Sequence, residues 1–162
     1  HHGIDYKLKL AGYAALDSLS AEKFYGHQGE EYTNKYTPIE ANLDFVCKKK
    51  INYVGKNIID KQRDNGVKTK LICISVDFNK YLHNNEIIYL NNIQVGFIKR
   101  SSFSHMLNKS IGFGYINYNN EIITNQLLDN GKFEIKILGE KYPCKLEKTP
   151  FDLENTRIKG IY

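Results

Sequence analysis

Few side chains in this sequence stand at a spacing that could do chemistry. The three cysteines, Cys47, Cys73 and Cys144, lie far apart in the chain. An odd count without close pairs argues against a disulfide scaffold and against a structural zinc site, and it favours buried free thiols in a reducing compartment. No Ser-His-Asp, P-loop or HExxH signature is present, so motifs alone name no active site. The histidines that follow the first two residues have no second ligand at metal spacing; they are His27, His83 and His105.

The triplet Gly112-Phe113-Gly114 resembles a glycine-rich phosphate loop. It lies inside a strand-like run and no helix follows it, whereas a phosphate loop opens a helix whose N-terminus faces the anion. We therefore interpret the triplet as a closely packed strand.

The composition is that of a globular chain with a basic surface. Hydrophobic residues make up 41% and charged residues 25% of the 162 residues. No apolar run reaches the roughly eighteen residues of a membrane span, so no membrane partner is expected. The formal charge of +5 would suit RNA, an acidic protein or a polyanionic small molecule. Lys48-Lys49-Lys50 is the only tight basic run and no RNA-binding motif is recognisable, so nucleic acid is not favoured as a partner.

A long helix is predicted near the start of the chain. Apolar residues recur at three- and four-residue steps from Lys7 to Tyr25, and Asp5 precedes them as a plausible N-cap. Gly26 and Gly29 are expected to end the helix, because glycine readily adopts the left-handed conformation. The predicted buried stripe consists of Leu8, Ala11, Ala15, Leu16, Leu19 and Glu22.

Two further elements are predicted before residue 66. Ile39 to Phe45 is apolar at every second residue, which indicates a strand or an extended segment. Gly55 to Asn65 reads as a short amphipathic helix with Ile58 and Ile59 facing inward.

From Lys68 onward the apolar period is two, which predicts strands. Asn91-Asn92 and Gly139-Glu140 separate apolar runs at hairpin spacing. Pro143 cannot donate a ladder hydrogen bond, so the last strand should lie at an edge or carry a bulge. Several short strands of this kind predict a small antiparallel barrel or sandwich. The predicted strands are Thr69–Val76, Glu86–Leu90, Ile93–Lys99, Ser110–Ile116, Phe133–Leu138 and Tyr142–Lys148.

Together these elements predict an α+β chain that is mostly β, with a helix in front of a small antiparallel barrel. The loop from Asp44 to Asn52 is the expected junction, which divides the chain into residues 1–50 and 51–162. The chain begins His1-His2 without a methionine, and the first helix has no visible strand partners before it. We therefore expect a fragment of a longer protein.

Six short strings stand in a fixed order along the chain. Each string is weak alone, but together they cover nearly the whole chain. The ending PFDLENTRIKGIY resembles that of sarcosine dehydrogenases, with dimethylglycine dehydrogenases and the pyruvate dehydrogenase phosphatase regulatory subunit as relatives. The strings are AGYAALDSLSAEKFY (11–25), TPIEANLDFVCK (37–48), VGKNII (54–59), KLICISV (70–76), VGFIKRSSFSHMLNKSIGFGYI (95–116) and GEKYPCKLEKTPFD (139–152). In this order they resemble the glycine cleavage T-protein (aminomethyltransferase) superfamily.

The resemblance implies the C-terminal part of a three-part ring that encloses a folate and ends in an antiparallel β-barrel. The first helix would be the last helix of an α/β folate-binding domain, ending near residue 50. For the whole protein it implies FAD-dependent oxidation of sarcosine or dimethylglycine, with transfer of the one-carbon unit to tetrahydrofolate, in the mitochondrial matrix. The family's catalytic aspartate and flavin domain would lie upstream of His1. The chain is therefore expected to hold no catalytic residue, to be inactive alone and to have upstream flavin and folate domains as partners; whether it counts as an enzyme stays open.

Three residues match family positions that could contact folate. Tyr25 matches an aromatic near the pterin, where a tyrosine offers a stacking face and a polar tip; packing at the helix end is the alternative. Glu22 matches an acidic position on the same helix, with capping or pairing near Lys23 as its alternative. Lys109 could meet the anionic glutamate tail as a point charge, or it could be a solvated turn lysine.

The sequence also departs from the family pattern. Ala14, Ser20 and Gly26 stand where the dehydrogenases carry arginines, and Leu16 stands where aminomethyltransferases have an arginine that reaches the folate tail. The loss of guanidinium groups weakens a bidentate grip on a carboxylate. Two alternatives to the enzyme therefore stay open: a non-catalytic regulatory subunit, and a tRNA-modification-type folate protein. Phe24 and Asn42 replace two family glycines.

Overall fold

The computed structural model describes residues 3–77 and 82–148, so the ending that resembles sarcosine dehydrogenases lies outside the described residues. Short 3₁₀ turns occupy Ile4–Tyr6 and Asp44–Val46. The helices and strands in chain order are α1 Tyr13–Glu22, α2 Lys56–Asn65, β1 Thr69–Val76, β2 Ile87–Leu90, β3 Ile93–Ser104, β4 Lys109–Asn117, α3 Asn125–Asn130, β5 Phe133–Ile137 and β6 Glu140–Glu147. The helices of these ranges are too short to cross a membrane.

The six strands form a closed barrel in the order β1-β4-β3-β2-β5-β6, with every neighbouring pair antiparallel. The period of two puts one face of each strand inside, where branched apolar side chains fill the core. Fully buried examples are Ile74, Ile88, Ile98, Ile116 and Ile135. The predicted mostly β architecture, a small antiparallel barrel preceded by a helix, is confirmed, and all six predicted strands are present.

Three predicted details of the strands are also confirmed. The φ values of Asn91 and Asn92 are +51° and +66°, the left-handed pair that a two-residue hairpin requires. A Cβ added to Gly114 would lie 2.4 Å from the carbonyl oxygen of Phe97, so the glycine triplet is a closely packed strand. Pro143 pairs with β5 but lies one residue beyond the last residue of β6 registered against β1, so β6 is an edge there.

Strand β3 runs five residues further than predicted, because a bulge interrupts its register. Ile98 pairs with Gly114 and Arg100 with Phe113, so Lys99 is an extra residue with no partner of its own. A bulge of this kind shifts the alternation by one residue. It therefore brings the Arg100 side chain, which is 5% exposed, onto a buried face.

The first helix is shorter than predicted and faces the other way. It begins after Gly12, not after Asp5, because Lys7 has a φ of +57° that breaks a helical path. It ends at Glu22, before either glycine. The apolar members of the predicted stripe are exposed, with Leu16 and Leu19 more than half accessible, whereas its last member, Glu22, is buried together with Ser18, Ser20 and Ala21.

Hydrogen bonds explain this inverted orientation of α1. The Ser18 hydroxyl donates to the Phe103 carbonyl at 2.8 Å, and a Glu22 carboxylate oxygen accepts from the Ser104 hydroxyl at 2.7 Å. The end of β3 thus offers polar groups that only the polar face of the helix can satisfy, and burying them unpaired would be costly.

The predictions for the two other leading elements need correction. Residues 39–45 form turns and not a strand, and the backbone N–H of Leu43 donates to the Pro38 carbonyl. Helix α2 lies where predicted, but only Ile59 is buried and Ile58 is 55% exposed. The short helix α3 was not predicted; its N-cap Thr124 accepts a hydrogen bond from the backbone of Leu127.

The three cysteines are free thiols, of which Cys73 is buried and Cys47 and Cys144 are half-buried. Burial raises the pKa of Cys73 well above that of an ordinary thiol and raises the pKa of Cys144 to about 12. The thiolate is the reactive form, so at pH 8 both cysteines should be nearly inert.

We therefore predict that a thiol reagent at pH 8 modifies Cys47 first, and modifies Cys73 and Cys144 only after the chain is unfolded. Peptide mass mapping with and without 6 M guanidinium chloride checks this order. Rapid modification of Cys73 in the folded chain would contradict the described packing.

Candidate functional site

A cavity of about 780 Å³ lies between the leading segment, residues 20–45, and the barrel. It lies where β6 diverges from β1, because the register between these strands covers only Cys73–Val76 of β1. The preceding residues of β1, Lys70 to Ile72, form one wall of the cavity. This volume lies within the range of small-molecule pockets.

Aromatic side chains line the cavity on the side of the leading segment. The Phe24 ring meets the Phe113 ring edge-on with centroids 5.5 Å apart, and Tyr25 and Tyr32 stand beside it. Tyr25 is 65% exposed, so its ring face is open to a ligand. Such a wall suits a flat, partly apolar molecule.

The backbone places Phe24 and Tyr25 by ending α1 early. The N–H of Phe24 donates to the Ala21 carbonyl and the N–H of Tyr25 to the Ser20 carbonyl, the paired bonds of a Schellman motif. Phe24 occupies the position that usually holds glycine, with a φ of +57°. A bulky residue in the left-handed region is strained, and such strain concentrates at functional sites.

Asn42 replaces the second family glycine and takes the same backbone conformation, with a φ of +59°. Asparagine tolerates this region better than most residues. Its side-chain amide donates to the Leu71 carbonyl at 2.7 Å, and the Leu71 N–H donates to the Glu40 carbonyl at 2.7 Å. The leading segment thus pairs with the edge of β1 where β6 has left it.

A buried ion pair fixes the leading segment on the barrel. Arg100 from β3 binds the fully buried Glu31 through its Nε and the Tyr25 carbonyl through Nη2 at 2.9 Å. The other Glu31 carboxylate oxygen accepts from the His27 backbone at 2.9 Å. The guanidinium also lies 4.9 Å from the centre of the Phe113 ring. The pair therefore holds the wall that carries Tyr25.

Several groups at the cavity stay neutral. Burial raises the pKa of Tyr32 and, most strongly, that of the Cys73 thiol. The described residues contain no cluster of His, Cys, Asp and Glu that could hold a metal ion. The site is therefore suited to binding and orienting a ligand, and no described group is poised as a nucleophile.

The structure separates the three residues that the sequence suggested. Tyr25 lines the cavity, whereas Glu22 and Lys109 do not. The Glu22 carboxylate accepts from the Ser104 hydroxyl and from the Met106 backbone at 3.2 Å. Lys109 pairs with Ser104 across the β3–β4 hairpin and has Asp77 at 4.0 Å. Glu22 and Lys109 thus both lie at the end of β3 that carries Ser104. Ser104 is four residues after Arg100, the residue that holds Tyr25, which corresponds to about 13 Å along the strand.

Sequence reasoning missed Arg100 and Glu31. The usable signal was Arg100, a charged residue in an otherwise alternating strand, but the bulge at Lys99, which moves it from the face of Ile98 to the face of Phe113 that the leading segment covers, leaves no pattern of its own. Glu31 lies in a polar stretch that gave no reason to expect full burial.

Comparison with known families matches both parts of the chain. Residues 69–152 match the model of the glycine cleavage T-protein C-terminal barrel domain, and residues 1–51 match that of the GCVT N-terminal domain.

Individual relatives agree with these family matches. Mitochondrial sarcosine dehydrogenase of Mus musculus is 35% identical over 99% of this chain, and the mitochondrial pyruvate dehydrogenase phosphatase regulatory subunit of Mus musculus is 27% identical over 91%. The chain spans 18% of the length of each. The crystal structure of aminomethyltransferase T from Bartonella henselae superposes with a TM-score of 0.74 at 18% identity, over 91% of this chain and 40% of that one, which supports the fold.

Asn42 should stabilise the chain in two ways: asparagine tolerates a left-handed backbone, and its side-chain amide donates a hydrogen bond to Leu71. We predict that Asn42→Gly lowers the free energy of unfolding by about 1 kcal/mol, the usual worth of the lost hydrogen bond to Leu71. Asn42→Ala should lose about 1 kcal/mol more, because alanine disfavours this φ. Urea denaturation monitored by circular dichroism measures both.

Asn120 is the matched control, since it has a φ of +58° in an exposed turn and its side chain makes no hydrogen bond within residues 3–77 and 82–148. The free energies of unfolding of Asn120→Gly and Asn120→Ala should also differ by about 1 kcal/mol. Asn120→Gly should be about as stable as the wild-type chain. If Asn42→Gly is as stable as wild type, the bond to Leu71 contributes nothing.

The ion pair between Arg100 and Glu31 yields a second prediction. Arg100→Met leaves a buried carboxylate unpaired and should lower the free energy of unfolding by about 3–5 kcal/mol. Arg100→Met combined with Glu31→Gln should recover part of that loss, because no buried charge remains alone. Urea denaturation measures both variants.

Lys148→Met, which breaks the pair with Asp129 that is about half exposed on both sides, serves as the control and should change stability by less than about 1 kcal/mol. A single Arg100→Met variant as stable as this control would show that the buried pair does not hold the leading segment.

Proposed function

Because the chain belongs to the glycine cleavage T-protein family, whose barrel domain matches more than half of it, we propose that it forms one wall of a tetrahydrofolate site. The enzyme would be of the sarcosine dehydrogenase type and would act in one-carbon transfer. The cavity beside Tyr25 is the observation that carries this proposal.

The lining of the cavity fits such a ligand. Tetrahydrofolate joins a reduced pterin to an aminobenzoyl ring and a glutamate, so it presents flat surfaces and a carboxylate end. Tyr25, Phe24 and Phe113 offer ring faces and edges, and Leu71 adds an apolar surface. Volume, aromatic lining and polar rim agree with a molecule of this shape.

Within this proposal the protein binds, orients and shields. When bound, tetrahydrofolate supplies the nitrogen that accepts the one-carbon unit. Tyr25 would stack on the ligand and exclude water from one ring face. Glu22 would act at a distance, because its bonds to Ser104 and Met106 fix the end of α1 from which Tyr25 extends. Lys109 stays a proposed contact for the anionic tail, outside this cavity.

The remaining chemistry would belong to other domains of the same enzyme. FAD-dependent oxidation of sarcosine or dimethylglycine is assigned to no described residue. Residues 1–50 would complete a folate-binding domain and residues 51–162 would form the barrel domain. Mitochondrial sarcosine dehydrogenases are among the relatives, which supports a place in the mitochondrial matrix.

One observation favours a second candidate, a regulatory subunit without folate. The chain is 27% identical to the regulatory subunit of pyruvate dehydrogenase phosphatase, and it lacks the arginines expected at positions 14, 20 and 26. The two candidates differ in one measurable property, which is affinity for tetrahydrofolate.

Isothermal titration of tetrahydrofolate into the chain under argon tests the proposal. We expect binding, and we expect Tyr25→Ala to weaken it about tenfold, because an aromatic stacking contact is worth about 1–3 kcal/mol. Tyr13→Ala is the control: Tyr13 is also exposed and belongs to α1, but it does not line the cavity.

Equal losses in the two tyrosine variants would place the ligand away from the cavity. No binding to the chain or to any longer form of the protein that contains it would favour the regulatory candidate.

A further inference from the structure

Two lysines at the rim of the cavity have no carboxylate partner in the described part of the chain. The lining includes Lys23, Lys70 and Lys148. Lys148 is held by Asp129. For Lys23 and Lys70, residues 3–77 and 82–148 provide no ion pair and no side-chain hydrogen bond.

The carboxylates of the lining cannot neutralise these lysines, because both are already engaged. Glu31 is bound by Arg100 and by the His27 backbone. Glu147 accepts from the Ser75 hydroxyl at 2.7 Å and pairs with Lys145 at 3.2 Å. The rim therefore carries two uncompensated positive charges beside an apolar, aromatic wall.

The two lysines that line the cavity come from different elements. Lys23 is the C-cap of α1, and the last carbonyls of that helix are satisfied by the backbone of Phe24 and Tyr25, so they do not require the ammonium group. Lys70 lies on the same face of β1 as Ile72, two residues before that strand enters the barrel core. Both side chains are half-buried, which reduces their screening by solvent.

We propose that Lys23 and Lys70 hold the carboxylate end of the ligand of this cavity. The inference rests on the proposed function and names the residues that select a carboxylate-bearing pterin over a neutral one. Apolar and aromatic surface would bind the ring system, while charge complementarity at the rim would bind the tail.

Lysines impose a different kind of recognition from arginines. An ammonium group is a point charge and does not form the planar fork that binds a carboxylate bidentately. Recognition by Lys23 and Lys70 should therefore depend strongly on salt and weakly on the exact position of the carboxylates.

A double-mutant cycle between protein and ligand tests the inference. The ligands are tetrahydrofolate and its α,γ-dimethyl ester, which has the same rings and nearly the same size but no negative charge. The proteins are the full 162-residue chain, Lys23→Gln, Lys70→Gln and the control Lys136→Gln, whose lysine is exposed on β5 and does not line the cavity. Circular dichroism verifies that each variant is folded.

We expect Lys23→Gln and Lys70→Gln each to weaken tetrahydrofolate binding about fivefold or more, and to change binding of the diester by less than about twofold. Lys136→Gln should leave both affinities unchanged. Raising the salt concentration from 50 to 500 mM should weaken binding of tetrahydrofolate to the wild-type chain and not that of the diester.

The outcomes separate this inference from the proposed function. The assignment of the two lysines would be overturned if both variants bound tetrahydrofolate as tightly as the wild-type chain, or if they lost affinity equally for tetrahydrofolate and for the diester. Either result would leave the proposed folate site standing. Binding of neither ligand to the wild-type chain or to any longer form of the protein that contains it would overturn both.

Discussion

The buried ion pair between Arg100 and Glu31 is the contact on which the described architecture depends. A charge in the protein interior is tolerated only when it is paired and hydrogen-bonded, and these two satisfy each other together with the His27 backbone and the Tyr25 carbonyl. Because Arg100 lies in the barrel and Glu31 in the leading segment, neither part can bury its charge without the other. The pair therefore makes the docked arrangement specific, and the cavity exists only in that arrangement.

The edge of β1 imposes the second constraint. A strand edge that is left open exposes unpaired N–H and C=O groups, and β6 covers β1 only from Cys73 to Val76. The carbonyl of Glu40 and the side chain of Asn42 satisfy Leu71 beyond that point. At this point the turns of the leading segment, and not β6, form hydrogen bonds with β1. The backbone of β1 is therefore satisfied, and room remains for the cavity.

Strand positions were predictable because every strand of the barrel buries one face, which imposes a period of two. The orientation of α1 was not predictable, because its docking surface is set by polar groups of β3 that lie about 85 residues later in the chain, such as the Phe103 carbonyl that accepts from Ser18. Local periodicity contains no information on such a partner. The contact of Arg100 with the leading segment was hidden for a related reason, since a one-residue bulge moves the residues after it to the opposite face of the strand. Of the site, Tyr25 could be suggested from the sequence, but its support by Glu31 and Arg100 could not.

The inverted helix connects the fold with the proposed function. With Ser18 and Glu22 turned to the barrel, α1 presents Tyr13, Leu16 and Leu19 outward, each more than half exposed. An exposed apolar face of this extent marks an interaction surface. The face and the ring of Tyr25 are presented by the same stretch of chain. A domain that covered the leucines would also lie close to Tyr25, which lines the cavity and is 65% exposed. In the proposed enzyme, the geometry that looks unfavourable for an isolated helix is thus the one that lets two domains enclose a single folate.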